Sequence, residues 1–193
     1  MRFFIVVSFI LMVNACNQKD IQSGIDLANA GESYPPGAII TDYPDQEGLS
    51  KVTVKNGIKI LAEGDYYQNK KHGAWTEYHD NQLVKSLETY FNGIKQGVSI
   101  RLSNNGEIIE KAFYKNGLLE GEFITYERRK VKSISNYSNG VLHGSKKSYY
   151  SNGNLLEESG YVNGKIDGLA KYYNQKGELL YEYTYQDGEL VDQ

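Results

Sequence analysis

The chain has 193 residues, 40% of them hydrophobic, with 21 basic and 24 acidic side chains, three His and one Cys. A formal charge of −3 with both signs interspersed argues against a nucleic-acid or polybasic-lipid binder. A single Cys rules out a disulfide framework.

The first stretch, MRFFIVVSFILMVNAC, has one basic residue, Arg2, and an apolar run from Phe3 to Val13. That run has signal-peptide length and falls short of the roughly 20 residues a membrane span needs. Val13, Asn14, Ala15 and Cys16 resemble a bacterial lipoprotein signal, with an aliphatic residue three before the Cys and a small one just before it. The resemblance implies cleavage after residue 15 and a diacylglycerol thioether on Cys16, which holds the chain stably at a bilayer. It also accounts for an unpaired thiol in an exported protein. The expected location is the cell envelope, outside the cytoplasm. Asn17 is not the Asp associated with inner-membrane retention, so delivery to an outer membrane is expected if the cell has one.

Residues 16–47 contain all three prolines, Pro35, Pro36 and Pro44, and show no sustained period. They read as a semi-extended tether with a short ordered patch near Gly37 to Thr41. Removing Arg2 with the signal leaves a charge of −4.

From residue 48 to 193 the chain is periodic. Tyr66, Tyr90, Tyr114, Tyr137, Tyr161 and Tyr185 are separated by 24, 24, 23, 24 and 24 residues. Seven residues after each of the first five comes Gly73, Gly97, Gly121, Gly144 or Gly168. A fixed period in this range marks a repeat array. Counting each unit from its Tyr, YFNG, YKNG, YSNG and YVNG place a turn signal at positions 1 to 4. Asn-Gly tolerates positive φ and signals a hairpin. The distance from Tyr to Gly leads us to expect a loop of four to six residues. The Gly is expected to open the next strand, where a missing side chain permits close backbone approach.

A strand then ends near position 13, at Tyr78, Leu102, Tyr126, Tyr149 and Tyr173, before a second turn. ERRK at 127–130 shortens that turn in the third unit, which explains the 23-residue interval. Arg128, Arg129, Lys130 and Lys132 therefore read as a solvated turn rather than a recognition patch. Position 19 is aliphatic in Val84, Ile108, Val131, Leu155 and Leu179, and its even separation from the next Tyr places both on one strand face. No stretch carries a helical stripe with caps. The expected fold is all-β: an elongated antiparallel meander of about five 24-residue hairpin repeats, about twelve strands in total. At roughly 4.8 Å per strand it would be on the order of 55 Å long. Residues Val52 to Gly64 read as an N-terminal half-unit.

This unit of turn, Gly, aromatic, turn, aliphatic and Tyr resembles the bacterial variant of the MORN repeat, with YVNGKIDGLAKYYNQKGELLYEYTY from Tyr161 the closest match. Proteins of this make-up are often labelled YwqK-type antitoxins, which implies binding of a protein toxin. Gln68-Asn69, Ser99, Leu102 and Asp192 depart from the pattern, and Trp75 is the only Trp.

No arrangement points to catalysis. Cys16 is consumed by lipid, and no HxH, HExxH or Cys pair suggests a transition-metal site. His72 and His143 share a unit position with Gln96, Glu120 and Asp167, which reads as a solvated turn. The chain is not expected to be an enzyme or to hold a cofactor or metal. Open repeat arrays present long surfaces, and Tyr is enriched at interfaces. Tyr149, Tyr150, Tyr172, Tyr173, Tyr181 and Tyr183 are therefore the candidate binding residues. A membrane-anchored protein-binding or scaffold module is expected, with a carbohydrate or cell-wall binder, or an antitoxin-like protein acting on an exported toxin, as alternatives. The strand Leu179 to Tyr185 reads as an uncovered edge for pairing unless Gln186 to Gln193 folds back over it.

Overall fold

The computed structural model describes residues 33–192. Cys16, the 1–15 signal and the first part of the 16–47 tether lie outside the described residues. The described chain forms one antiparallel sheet of 15 strands: β1 (Ile39–Asp42), β2 (Leu49–Asn56), β3 (Lys59–Tyr67), β4 (Lys70–Tyr78), β5 (Val84–Phe91), β6 (Ile94–Leu102), β7 (Ile108–Lys115), β8 (Leu118–Leu119), β9 (Gly121–Glu127), β10 (Lys130–Ser138), β11 (Val141–Tyr149), β12 (Leu155–Val162), β13 (Lys165–Tyr173), β14 (Leu179–Gln186) and β15 (Glu189–Asp192). Neighbours in sequence are neighbours in the sheet, with β8 and β9 sharing the edge of β7. The described residues contain no helix, so the all-β hairpin meander read from the sequence is the fold.

The turns at the two ends of the repeat differ. At one end the strands join through two residues, not the expected four to six. Asn92-Gly93, Asn116-Gly117, Asn139-Gly140, Asn163-Gly164 and Asp187-Gly188 all have positive φ at both positions. This is the type I′ hairpin, whose twist matches the flanking strands. Pairing continues up to the turn because the surplus residues are taken up further along, at the repeat glycine. Gly64 faces Trp75 while Asp65 faces His72, so the register jumps beside Gly73. The same jump falls between Glu88↔Ser99 and Tyr90↔Lys95.

The repeat glycines therefore lie inside strands at a bulge. At Gly73 φ is +72°, and a Cβ placed there would meet nothing within 4 Å. Backbone conformation, not close approach, explains that glycine. Each one faces the next unit's Tyr across the ladder: Gly73↔Tyr90, Gly97↔Tyr114, Gly121↔Tyr137, Gly144↔Tyr161 and Gly168↔Tyr185.

At the other end, five-residue loops close with paired backbone bonds, as in Ser103 N–H to Glu107 O at 2.8 Å and Gly106 N–H to Ser103 O at 2.9 Å. The third repeat turns through Arg128-Arg129 alone, both at positive φ. Just after each of these turns the register slips by one residue, with Tyr149 facing Leu155 and Ser148 facing Glu157. The slip carries the position-19 aliphatic residue to the side of its partner Tyr149. It does not share the repeat Tyr's face as simple alternation had suggested.

The two faces of the sheet are unlike. The packed face carries a row Val52, Gly64, Trp75, Glu88, Ser99 and Ala112, and then Phe123, Ser135, Lys146, Ser159, Ala170 and Tyr183. Ser99, Ala112, Ser135, Ser159 and Ala170 are buried. The repeat tyrosines run alongside, two residues further on. Small residues thus form the floor between tall rings, and cross-strand pairs of this kind contribute about 0.2 to 1 kcal/mol each.

The sheet also begins before residue 48. β1 pairs with β2 from Ile39↔Thr53 to Asp42↔Ser50. Tyr34 packs its ring 5.2 Å from that of Tyr66, which in turn lies 5.7 Å from Trp75. The later part of the segment read as tether is therefore part of the fold, because Val52, Tyr66 and Trp75 need a cover that no full repeat supplies. At the far end, β15 pairs with β14 only over Thr184, Tyr185 and Gln186. The fold-back alternative holds for that half of β14, and among the described residues Leu179 to Tyr183 have no outer partner strand.

Candidate functional site

Successive repeats are held in register at the type I′ ends by hydrogen bonds between turns. The second turn residue donates its N–H to the preceding unit's backbone, as in Gly117 to Lys95 O at 2.9 Å and Gly164 to Leu142 O at 2.8 Å. The first turn residue donates to a side chain of the preceding unit: Asn116 N–H to Gln96 Oε1 at 2.8 Å, Asn139 N–H to Glu120 Oε2 at 2.8 Å and Asp187 N–H to Asp167 Oδ2 at 3.0 Å. His143 Nδ1 receives the equivalent N–H of Asn163 at 3.5 Å. The position that accommodates His, Gln, Glu or Asp is therefore a clamp, not merely a solvated turn. Its signal in the sequence was that all four residue types can accept a hydrogen bond. His72 keeps Nδ1 buried and unbonded while its ring lies between Tyr67 and Phe91.

On the packed face the N-terminal repeats are ionic. Glu88 accepts from Lys95 Nζ at 2.6 Å and from the Tyr90 hydroxyl at 2.5 Å. Lys95 lies over the Tyr114 ring, and Lys71 lies over Trp75 and Tyr90. Burial alone would raise the Glu88 pKa, but the bonds from Lys95 and Tyr90 outweigh it and the net shift is downward. Burial, and then the nearby carboxylates of Glu110 and Glu88, push the Tyr114 hydroxyl up to about 12.

Towards the C-terminal end the same face becomes aromatic. Tyr172 and Tyr183 meet edge-on with centroids 6.0 Å apart, and Tyr181 stacks on Tyr183 at 6.1 Å with an interplanar angle of 11°. Tyr181 is 57% exposed. Burial, followed by Glu157 and the neighbouring Tyr185, Tyr161 and Tyr183, pushes the Tyr172 hydroxyl up to about 12, so it remains a hydrogen-bond donor at neutral pH.

The six candidate tyrosines therefore separate. Tyr172, Tyr181 and Tyr183 come together. Tyr149 and Tyr173 lie on the opposite face beside Lys147, whose pKa is raised by its bond to Glu158. Tyr149 also lines a shallow depression with Val131, Ile134 and Asn152. Tyr150 belongs to a loop and donates its hydroxyl to Tyr173 O at 2.8 Å, which ties two repeats together. Among the described residues no group of three His, Cys, Asp or Glu side chains could hold a metal ion.

A comparison with curated proteins finds no match to the chain. Residues 142–163 and 166–187 match the MORN repeat variant. Each matched span begins just after one type I′ turn and ends in the next, taking in two strands and the loop between them. The chain thus carries MORN-variant repeats, a unit that commonly mediates protein or membrane binding.

Proposed function

We propose that the protein is a protein-binding module of the cell envelope, held at a membrane by lipid on Cys16, with its partner site at the Tyr172, Tyr181 and Tyr183 cluster. The observation that carries this reading is the exposed, stacked Tyr181 ring backed by Tyr183 and Tyr172. Rigid aromatic side chains with a polar tip anchor interfaces at low entropic cost, and truncating such an anchor costs about 2 kcal/mol or more. The near-parallel Tyr181 and Tyr183 rings favour a second reading, a platform on which sugar rings stack.

Affinity capture from envelope extract with the wild-type chain and with Tyr181→Ala/Tyr183→Ala separates the two. The protein reading expects a discrete partner that is lost with the double substitution and retained in soluble glycan. Release by glycan favours the carbohydrate reading. A partner that survives the double substitution removes the site from the cluster.

A further inference from the structure

The open face of the sheet, opposite the small-residue floor, carries a different pattern. One row across it reads Thr53, Glu63, Thr76, Leu87, Ile100, Lys111, Ile124, Ile134, Lys147, Glu158, Lys171 and Glu182. Its flanks are ionic and internally matched: Lys51–Glu63 at 3.2 Å, Lys147–Glu158 at 2.9 Å and Lys171–Glu182 at 3.3 Å. Its middle, from β5 to β10, is apolar. Leu87, Val98 and Phe113 are each more than a third exposed, and Ile100, Ile124 and Ile134 are half-buried beside them.

Besides Lys115 at the turn end of β7, two charges stand in this apolar field, Lys111 on β7 and Glu122 on β9. Both are exposed on the open face. Lys111 faces Ile124, two residues from Glu122, so the pair is diagonal across the ladder. Among the described residues neither takes part in an ion pair, although every other charge of the row does.

We infer that this face is an isologous interface between two copies of the chain, closed at its centre by reciprocal Lys111–Glu122 ion pairs. A two-fold axis in the plane of the interface, bisecting the Lys111–Glu122 diagonal, places each Lys over the other copy's Glu. The same rotation crosses the strands of the two sheets steeply, which belongs to the orthogonal class of sheet packing. A partner with one sign of charge at this spot would satisfy Lys111 or Glu122 but not both; a second copy satisfies both. The size is adequate. Five strands at about 4.8 Å by about eight residues at about 3.3 Å give about 600 Å² before side-chain relief, close to the lower end of specific interfaces at about 600 Å² per partner. This inference is independent of the tyrosine cluster, which lies on the packed face.

The experiment is sedimentation equilibrium of the full chain in density-matched detergent, for the wild type, Lys111→Glu, Glu122→Lys and the double exchange. Both side chains are exposed in the single chain, so the variants should keep the wild-type fold, which is checked by the far-ultraviolet circular dichroism spectrum. The expected result is a wild-type dimer, a dissociation constant at least about tenfold weaker in each single variant, and recovery to within about threefold in the double exchange, since like charges facing each other are repulsive and the exchange restores opposite signs. A wild-type chain that is monomeric at every concentration reached, single variants that dimerise as well as the wild type, or a double exchange no better than the single variants would each overturn the proposal.

Discussion

Replacing Glu88 by Gln tests how the packed face is held together. The Glu88 side chain is 17% exposed and its partner Lys95 is 24% exposed, and they meet at 2.6 Å. Removing the carboxylate charge takes from Lys95, which lies over Tyr114, and from Lys71, which lies over Trp75 and Tyr90, the anion that both lysines act on. Breaking a fully buried pair from one side costs about 3 to 5 kcal/mol, and partial exposure plus the acceptor oxygen retained by Gln brings the expectation to about 2 to 3 kcal/mol. For a domain of this size that lowers Tm by about 4 to 12 °C.

Glu77→Gln is the control. Glu77 pairs with Lys85 at 3.1 Å, but the two side chains are 39% and 55% exposed, so its loss should stay within about 0.5 kcal/mol. The pH dependence gives a second readout. Glu88 has its pKa lowered from 4.5 by folding, so its contribution is fully present above that value and is lost as pH falls through the lowered one. The stability difference between wild type and Glu88→Gln should therefore shrink on acidification. Equal Tm losses for Glu88→Gln and Glu77→Gln would refute the reasoning.

Other substitutions test separate parts of the fold. Gly64→Ala would place a Cβ 2.5 Å from Trp75 Cε3 and 2.6 Å from Ala74 O; overpacking at that site should cost about 3 kcal/mol or more. Gly73→Ala meets no atoms and should cost only the left-handed penalty of about 1 to 2 kcal/mol, and a larger loss at 73 than at 64 in chemical denaturation contradicts the assignment. Tyr34→Ala removes a ring packed on Tyr66 and should lower stability by about 2 kcal/mol; an unchanged melting curve would return residue 34 to the tether. Cys16→Ser should abolish metabolic labelling with a fatty-acid analogue, and label persisting on the variant would exclude that anchor.

The periodicity was legible because one Tyr recurs with the repeat, and Asn-Gly announced the hairpin even where the loop length was misjudged. The misjudgement arose at Gly73 and its equivalents. Counting residues between Tyr and Gly assumes unbroken pairing, whereas a bulge at the Gly absorbs the surplus and allows a two-residue turn. A bulge after the second turn likewise reversed the side on which Leu155 and its equivalents lie. The clamp made by Gln96, Glu120 and Asp167 was hidden because its variety looked like tolerance, when hydrogen-bond acceptance was the shared property. The ordered patch expected near Gly37 to Thr41 is the strand Ile39–Asp42, but its place in the sheet was not legible because it forms half a hairpin among prolines and repeats nothing. Of the candidate tyrosines, strand alternation alone separates Tyr172 from Tyr173, but sequence order could not show that Tyr172 and Tyr183 meet across β13 and β14.

The most direct test of the account is photo-crosslinking in the living cell, with a benzophenone amino acid at position 181 and, separately, at position 58, where Ile58 is fully exposed in a turn far along the sheet. The account predicts one discrete protein adduct from position 181 and none from position 58. No adduct at 181, or the same adduct from both positions, would contradict a protein partner at the tyrosine cluster.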